Sequence, residues 1–98
     1  MSEKFVDVLK YEVAEEKAGA LGRCGRLLEH AIERFRSQGQ AEASRERLLW
    51  DLVERVEAFL IQREACGLRD SRTVLKFYGV PREAIARVGV RRPAQVPR

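Results

Sequence analysis

One histidine, two cysteines, one tryptophan and three prolines are all that this chain of 98 residues holds of the types that most often mark a site, a staple or a break. A serine or cysteine nucleophile needs a positioned base, and the single histidine, His30, makes such a pair improbable. Cys66 lies where a helix is expected to end, and the helix dipole there disfavours a thiolate. Cys24 and Cys66 match neither a CxxC nor a zinc spacing, so both read as small hydrophobes in a reducing compartment. His30 does not complete the Glu-x-x-His pattern of helical metal sites, because Leu27 holds the glutamate position and Glu33 follows instead. Gly19-x-x-Gly22-x-x-Gly25 lacks both the preceding strand and the spacing of a phosphate loop. No catalytic, cofactor-binding or metal-binding residue is therefore expected.

Long apolar runs are missing too. No window approaches the twenty or so apolar residues of a membrane span. The opening segment is interrupted by Glu3, Lys4, Asp7 and Lys10, which a signal peptide would not be. A mature cytoplasmic protein is the expectation, with no membrane partner.

What is present fits one small core: 45% hydrophobic and 35% charged residues in a chain too short for two domains. The formal charge is +4, and arginine supplies most of the positive side. The balance is uneven along the chain, with residues 1–18 at −2, 19–39 at +2, 40–66 at −2 and 67–98 at +6. The basic last third could meet phosphate or an acidic partner, or be an ordinary solvated surface.

From residue 3 to 37 there is no proline, and Ala14, Ala18, Leu21, Gly25, Leu28, Ile32 and Phe35 recur at alternating steps of four and three. That spacing lines one stripe of a long helix that packs lengthwise on another. Three glycines in the tract 19–25 each cost about 1 kcal/mol against alanine in a helix interior. The stripe keeps its phase across them, which favours continuity over a break. Gly39 is expected to end the helix in a left-handed conformation. A second run, with Leu48, Leu49, Leu52, Val53, Val56, Phe59 and Leu60, predicts a returning helix over 41–66 that ends in a Schellman turn at Gly67-Leu68. Folding back about Gly39 sets Gly25 near Val53, Ala18 near Leu60 and Leu28 near Trp50, small against large.

Asp70 or Ser71 can cap a short helix to Tyr78, and Pro81 suits the first turn of another that Gly89 ends. The fold class expected is thus all-α: an antiparallel hairpin, about 3–37 and 41–66, then short helices at about 71–78 and 81–88, in one domain over 1–90. Residues 91–98, with two prolines and no period, are expected to form a disordered basic tail.

The segment Ser71-Arg72-Thr73-Val74-Leu75-Lys76-Phe77-Tyr78-Gly79-Val80-Pro81-Arg82-Glu83-Ala84-Ile85-Ala86-Arg87-Val88 resembles a helix-turn-helix. Gly79 would be its turn glycine, and Arg82, Glu83, Ala86 and Arg87 would face outward toward a major groove. Leu75 departs from the small residue that lets the two helices cross, and Gly89 cuts the second helix short. The alternative is a helical corner that seals one end of the hairpin. Phosphate contacts under the DNA reading would come from Arg72, Lys76, Arg82, Arg87, Arg91 and Arg92.

Residues 62–70, Gln62-Arg63-Glu64-Ala65-Cys66-Gly67-Leu68-Arg69-Asp70, together with Tyr78-Gly79-Val80-Pro81-Arg82-Glu83, resemble small bacterial proteins of an uncharacterised all-helical family. The resemblance covers most of residues 8–90 and implies a small helical fold. It carries no activity or binding residue.

Two long helices expose more apolar surface than two short ones cover, so a homodimer of paired hairpins is expected. The expected role is non-enzymatic protein interaction, with Ala14, Ala18, Leu21, Gly25, Leu28, Ile32, Phe35, Leu49, Val53, Val56 and Leu60 as packing residues. DNA binding through 71–88 is the second reading, and a metal-binding or small-ligand-binding bundle the third.

Overall fold

A computed structural model of the chain describes residues 3–98. Four helices in the order α1 (Glu3–Gln38), α2 (Glu42–Ala65), α3 (Ser71–Tyr78) and α4 (Arg82–Ala86) are the only regular elements among the described residues, and no strand occurs. The body is a rod of 60 × 27 × 20 Å, drawn out by the length of α1.

α1 runs unbroken through its glycine tract. At Gly22 an added Cβ would meet only the Arg26 side chain, at 3.5 Å. The glycine there is a propensity cost without a packing return, so Gly22→Ala is expected to stabilise the fold by about 1 kcal/mol and raise Tm by about 4–8 °C. A lowered Tm would mean that this face is covered. Gly25 is different: it is buried, and a Cβ there would lie 2.9 Å from the Tyr78 hydroxyl and 3.6 Å from the Phe59 ring.

That contact corrects the register. Gly25 faces Phe59 and Tyr78 rather than Val53, and the Cys66 thiol donates to the Lys17 carbonyl at 3.6 Å. α2 therefore stands about six residues out of the expected alignment, because the largest rings of α2 and α3 take the one gap that glycine leaves. The turn differs as well. Gly39 is not left-handed, since Gly67, Gly79, Gly89 and Asp70 are the described residues with positive φ. Its amide bonds the Phe35 carbonyl at 3.0 Å, and a Cβ would collide with that same oxygen.

The expected Schellman turn closes α2. The Leu68 amide bonds the Arg63 carbonyl at 3.0 Å, and the Gly67 amide bonds that of Glu64 at 2.9 Å. α3 ends in the same way, with Val80 to Leu75 and Gly79 to Lys76, both 3.0 Å. At its start the Asp70 side chain accepts the Thr73 amide.

The core is centred on α2, which buries Leu48, Leu49, Trp50, Leu52, Val53, Val56 and Phe59 on more than one side. Leu28 and Ile32 of α1 cover one flank. Leu75, Val80 and Ala84 cover another. Each fully buried leucine or valine contributes roughly 1.5–3 kcal/mol by leaving water. α4 is shorter than the span 81–88 expected from the sequence, with Pro81 preceding its first residue.

Residues 91–98 form no helix, and some of their side chains meet the body. The Arg92 side chain, 8% exposed, reaches Asp51 at 2.9 Å and Glu54 at 3.5 Å, and Val96 packs on the core. Two carboxylates one turn apart on α2 draw the guanidinium inward and bring the prolines with it.

Candidate functional site

α1 has 36 residues and α2 has 24. Because the Cys66 thiol lies level with Lys17, residues 3–16 of α1 run past the end of α2, and every one of them is exposed. At 1.5 Å per residue this overhang is about 21 Å long. It is not a polar extension. Val6, Leu9 and Val13, spaced by three and four, are 36%, 42% and 50% exposed and fall on one face.

The overhang forms one wall of an open groove of about 660 Å³. Val6, Leu9, Val13, Ala14, Ala18 and Leu21 line the wall, and Ala65, Cys66 and Leu68 close the end where α2 stops. Lys10 and Lys17 border it. The groove carries no convergent donors and acceptors, which suits an apolar helix or chain better than a polar substrate.

Of the packing residues expected from the sequence, Gly25, Leu28, Ile32, Leu49, Val53 and Val56 are buried in the hairpin, and Leu21, Phe35 and Leu60 are half-buried. Ala14 and Ala18 are not covered by α2. They are exposed and line the groove, because α2 ends level with Lys17. Val6, Leu9 and Val13 were missed. Their signal was present in the three-and-four spacing ahead of Ala14 and in the unequal lengths of the two helices.

Of the six residues expected to contact DNA, four are exposed and two are paired with carboxylates of α2. Arg72, Lys76, Arg82 and Arg91 are exposed. Arg87 donates from both terminal nitrogens to Glu46, at 3.0 and 3.2 Å, and lies over the Trp50 ring at 4.9 Å. Arg92 is held by Asp51 and Glu54. Glu83 of α4 pairs with Arg45 of α2. Two of the four side chains expected to face a major groove, Glu83 and Arg87, are thus turned back onto α2, and α4 has only five residues.

These pairs set the charge state of the corner. Hydrogen bonding to Arg45 holds the Glu83 carboxyl below the usual carboxylate range, against a small opposing effect of burial, and Arg87 does the same for Glu46. A depressed folded pKa contributes stability above the unfolded pKa and loses it as pH falls through the folded value. Trp50 emission is therefore expected to change as pH falls below the ordinary carboxylate range, under about pH 4, as Arg87 loosens from the ring, while far-UV helicity holds. An emission constant over that window would show that the pairs do not fix the corner.

His30 is exposed in a separate shallow groove with Arg34, Asp51, Glu54 and Arg55. Among the described residues no three His, Cys, Asp or Glu side chains converge on a point that could hold a metal ion. No helix among them is long and apolar enough to cross a membrane.

Comparison with curated proteins and with solved structures gave no match. A family profile matches residues 3–95, nearly the whole chain, and it agrees with the small all-helical fold seen here. The chain belongs to the family described as Family of unknown function (DUF6665).

Proposed function

We propose that this is a non-enzymatic helical protein that works by binding another protein chain in the groove between the α1 overhang and the end of α2. The observation that carries this reading is the overhang itself, a helix continued for about 21 Å past the end of α2 yet apolar on one face. A helix that is only a solvated spacer has no need of Val6, Leu9 and Val13 on one side, since exposed apolar surface of this extent marks interaction sites. The border of Lys10 and Lys17 supplies a polar rim around an apolar centre, as interfaces between proteins do.

A cytoplasmic setting fits the two free thiols of Cys24 and Cys66. DNA binding by residues 71–88 has less support, because Glu83, Arg87 and Arg92 are engaged with α2 or its side chains.

The test is retention from a lysate of the source cells on immobilised wild-type chain and on Leu9→Asp. A defined set of proteins, further copies of this chain included, is expected on the wild type and absent from the variant. Equal retention on both would count against the groove as the binding surface.

A further inference from the structure

We propose that the groove receives an acidic amphipathic helix of a partner protein, one that carries two carboxylates seven residues apart beside its apolar stripe; this rests on the interaction reading above and names the chemistry of the partner. The lining is selective in charge. Of the five acids and three lysines from Glu3 to Lys17, Lys10 and Lys17 line the groove and no acid does. The stretch is net negative, so a wall left to composition would carry carboxylates, whereas this one carries ammonium groups alone. Interfaces match charge in this way, positive against negative.

Both lysines are open to a partner's charge. Neither pairs with another described residue. One turn from Lys17 stand Val13, Ala14, Ala20 and Leu21, so its own helix offers it no carboxylate, and Lys10 has only Asp7 within that reach.

The step between the two lysines sets the spacing on the partner. Seven residues make two turns with a drift of about 20°, so the side chains rise from nearly one line, about 10 Å apart. That line runs between Val6 and Val13 on one side and Ala14 and Ala18 on the other. A helix packed along these walls passes both ammonium groups, and acids at the same two-turn step answer both.

The end of α2 selects the direction. The groove continues the track of α2 and is closed by Ala65 and Cys66, where the negative end of the α2 dipole lies. A helix seated with its first turn toward that end follows α2 head to tail. An acid in that first turn then meets Lys17 and its own helix's free amides together, and the second acid reaches Lys10. Ala14 and Ala18 leave room for large apolar side chains near that end, as Gly25 does for Phe59. A second copy of the overhang would bring its own Lys10 and Lys17 on the matching face, and a fatty acid has one charge for two lysines.

The probes are two synthetic helices of about 15 residues, stapled on the outer face so that their own folding does not limit binding. Both carry leucines at steps of three and four; one has glutamate and the other lysine at two positions seven apart beside them. Each is titrated calorimetrically against the full wild-type chain, against the chain with Lys10→Glu and Lys17→Glu together, and against Leu9→Asp, all checked for helicity by far-UV circular dichroism. Wild type is expected to bind the glutamate peptide about tenfold more tightly than the lysine peptide, with the preference shrinking as salt is raised. The reversed chain should prefer the lysine peptide, and Leu9→Asp should bind neither. Equal affinity of wild type for both peptides, no binding of either below about 1 mM, or a reversed chain that still prefers glutamate would each overturn the proposal. So would palmitate binding by a wild-type chain that takes no peptide, which would give the groove to a lipid tail. If proteins are retained from lysate in a Leu9-dependent way that the double lysine reversal leaves unchanged, the acidic partner is removed and the interaction reading stands. Retention indifferent to Leu9→Asp removes both.

Discussion

Phe59→Ala is expected to cost about 3–5 kcal/mol and to lower Tm by about 20 °C, the largest effect of any single truncation in this chain. The ring is 3% exposed and lies where three elements meet. It packs edge-on to Tyr78 of α3, with ring centres 5.1 Å apart, and sits over Gly25 of α1, while the Arg63 guanidinium lies 6.0 Å above it. Removing it opens a cavity that cannot readily collapse, because Gly25 has no side chain to move in. For a domain of this size the loss is a large share of the roughly 5–15 kcal/mol that keeps it folded. Phe59→Leu should recover most of the loss, since volume rather than aromaticity is what the gap requires. Chemical denaturation of both variants gives the comparison. A cost below about 1 kcal/mol for the alanine would show that α3 does not depend on this ring.

The second large effect is expected at the hairpin turn. Gly39→Ala should destabilise by about 2 kcal/mol, because the new Cβ meets the Phe35 carbonyl oxygen and the backbone itself must give way. The Phe35 ring, 3.3 Å from the same position, adds to the crowding. Gly67 makes the contrast. Nothing lies within 4 Å of a Cβ built there, so Gly67→Ala should cost only the strain of a left-handed alanine, about 1 kcal/mol. If thermal melts show the two substitutions to be equal, conformation rather than crowding governs both turns.

Much of the hairpin was legible in the sequence. The four-and-three steps from Ala14 to Phe35 report a continuous helix because a break would have shifted their phase, and Gly67-Leu68 reports a Schellman turn because it joins a glycine to an apolar residue. The alignment of the two helices was not legible. It depends on which bulky side chain claims the space over Gly25, and the winners, Phe59 and Tyr78, come from different helices, so no local pattern names them. The course of residues 91–98 escaped for a related reason. One arginine drawn to Asp51 and Glu54 fixes it, and a single long-range charge contact leaves no period in the sequence. For the candidate site, the helix that builds it was visible and its solitude was not. The short α4 shows the opposite case, where an outward face expected from a motif is claimed by Glu46 and Arg45 of α2.

The N-terminal extension of α1 has a further consequence for kinetics. A helix of about 12–15 residues without tertiary support is marginal in water, and this stretch runs beyond the reach of α2. In a dilute sample its amides should exchange with solvent orders of magnitude faster than those around Leu28, as a fraying end does. Docking then becomes the step that freezes it, so that the entropy of ordering is charged against affinity and the contact forms quickly, lets go quickly, and answers to concentration.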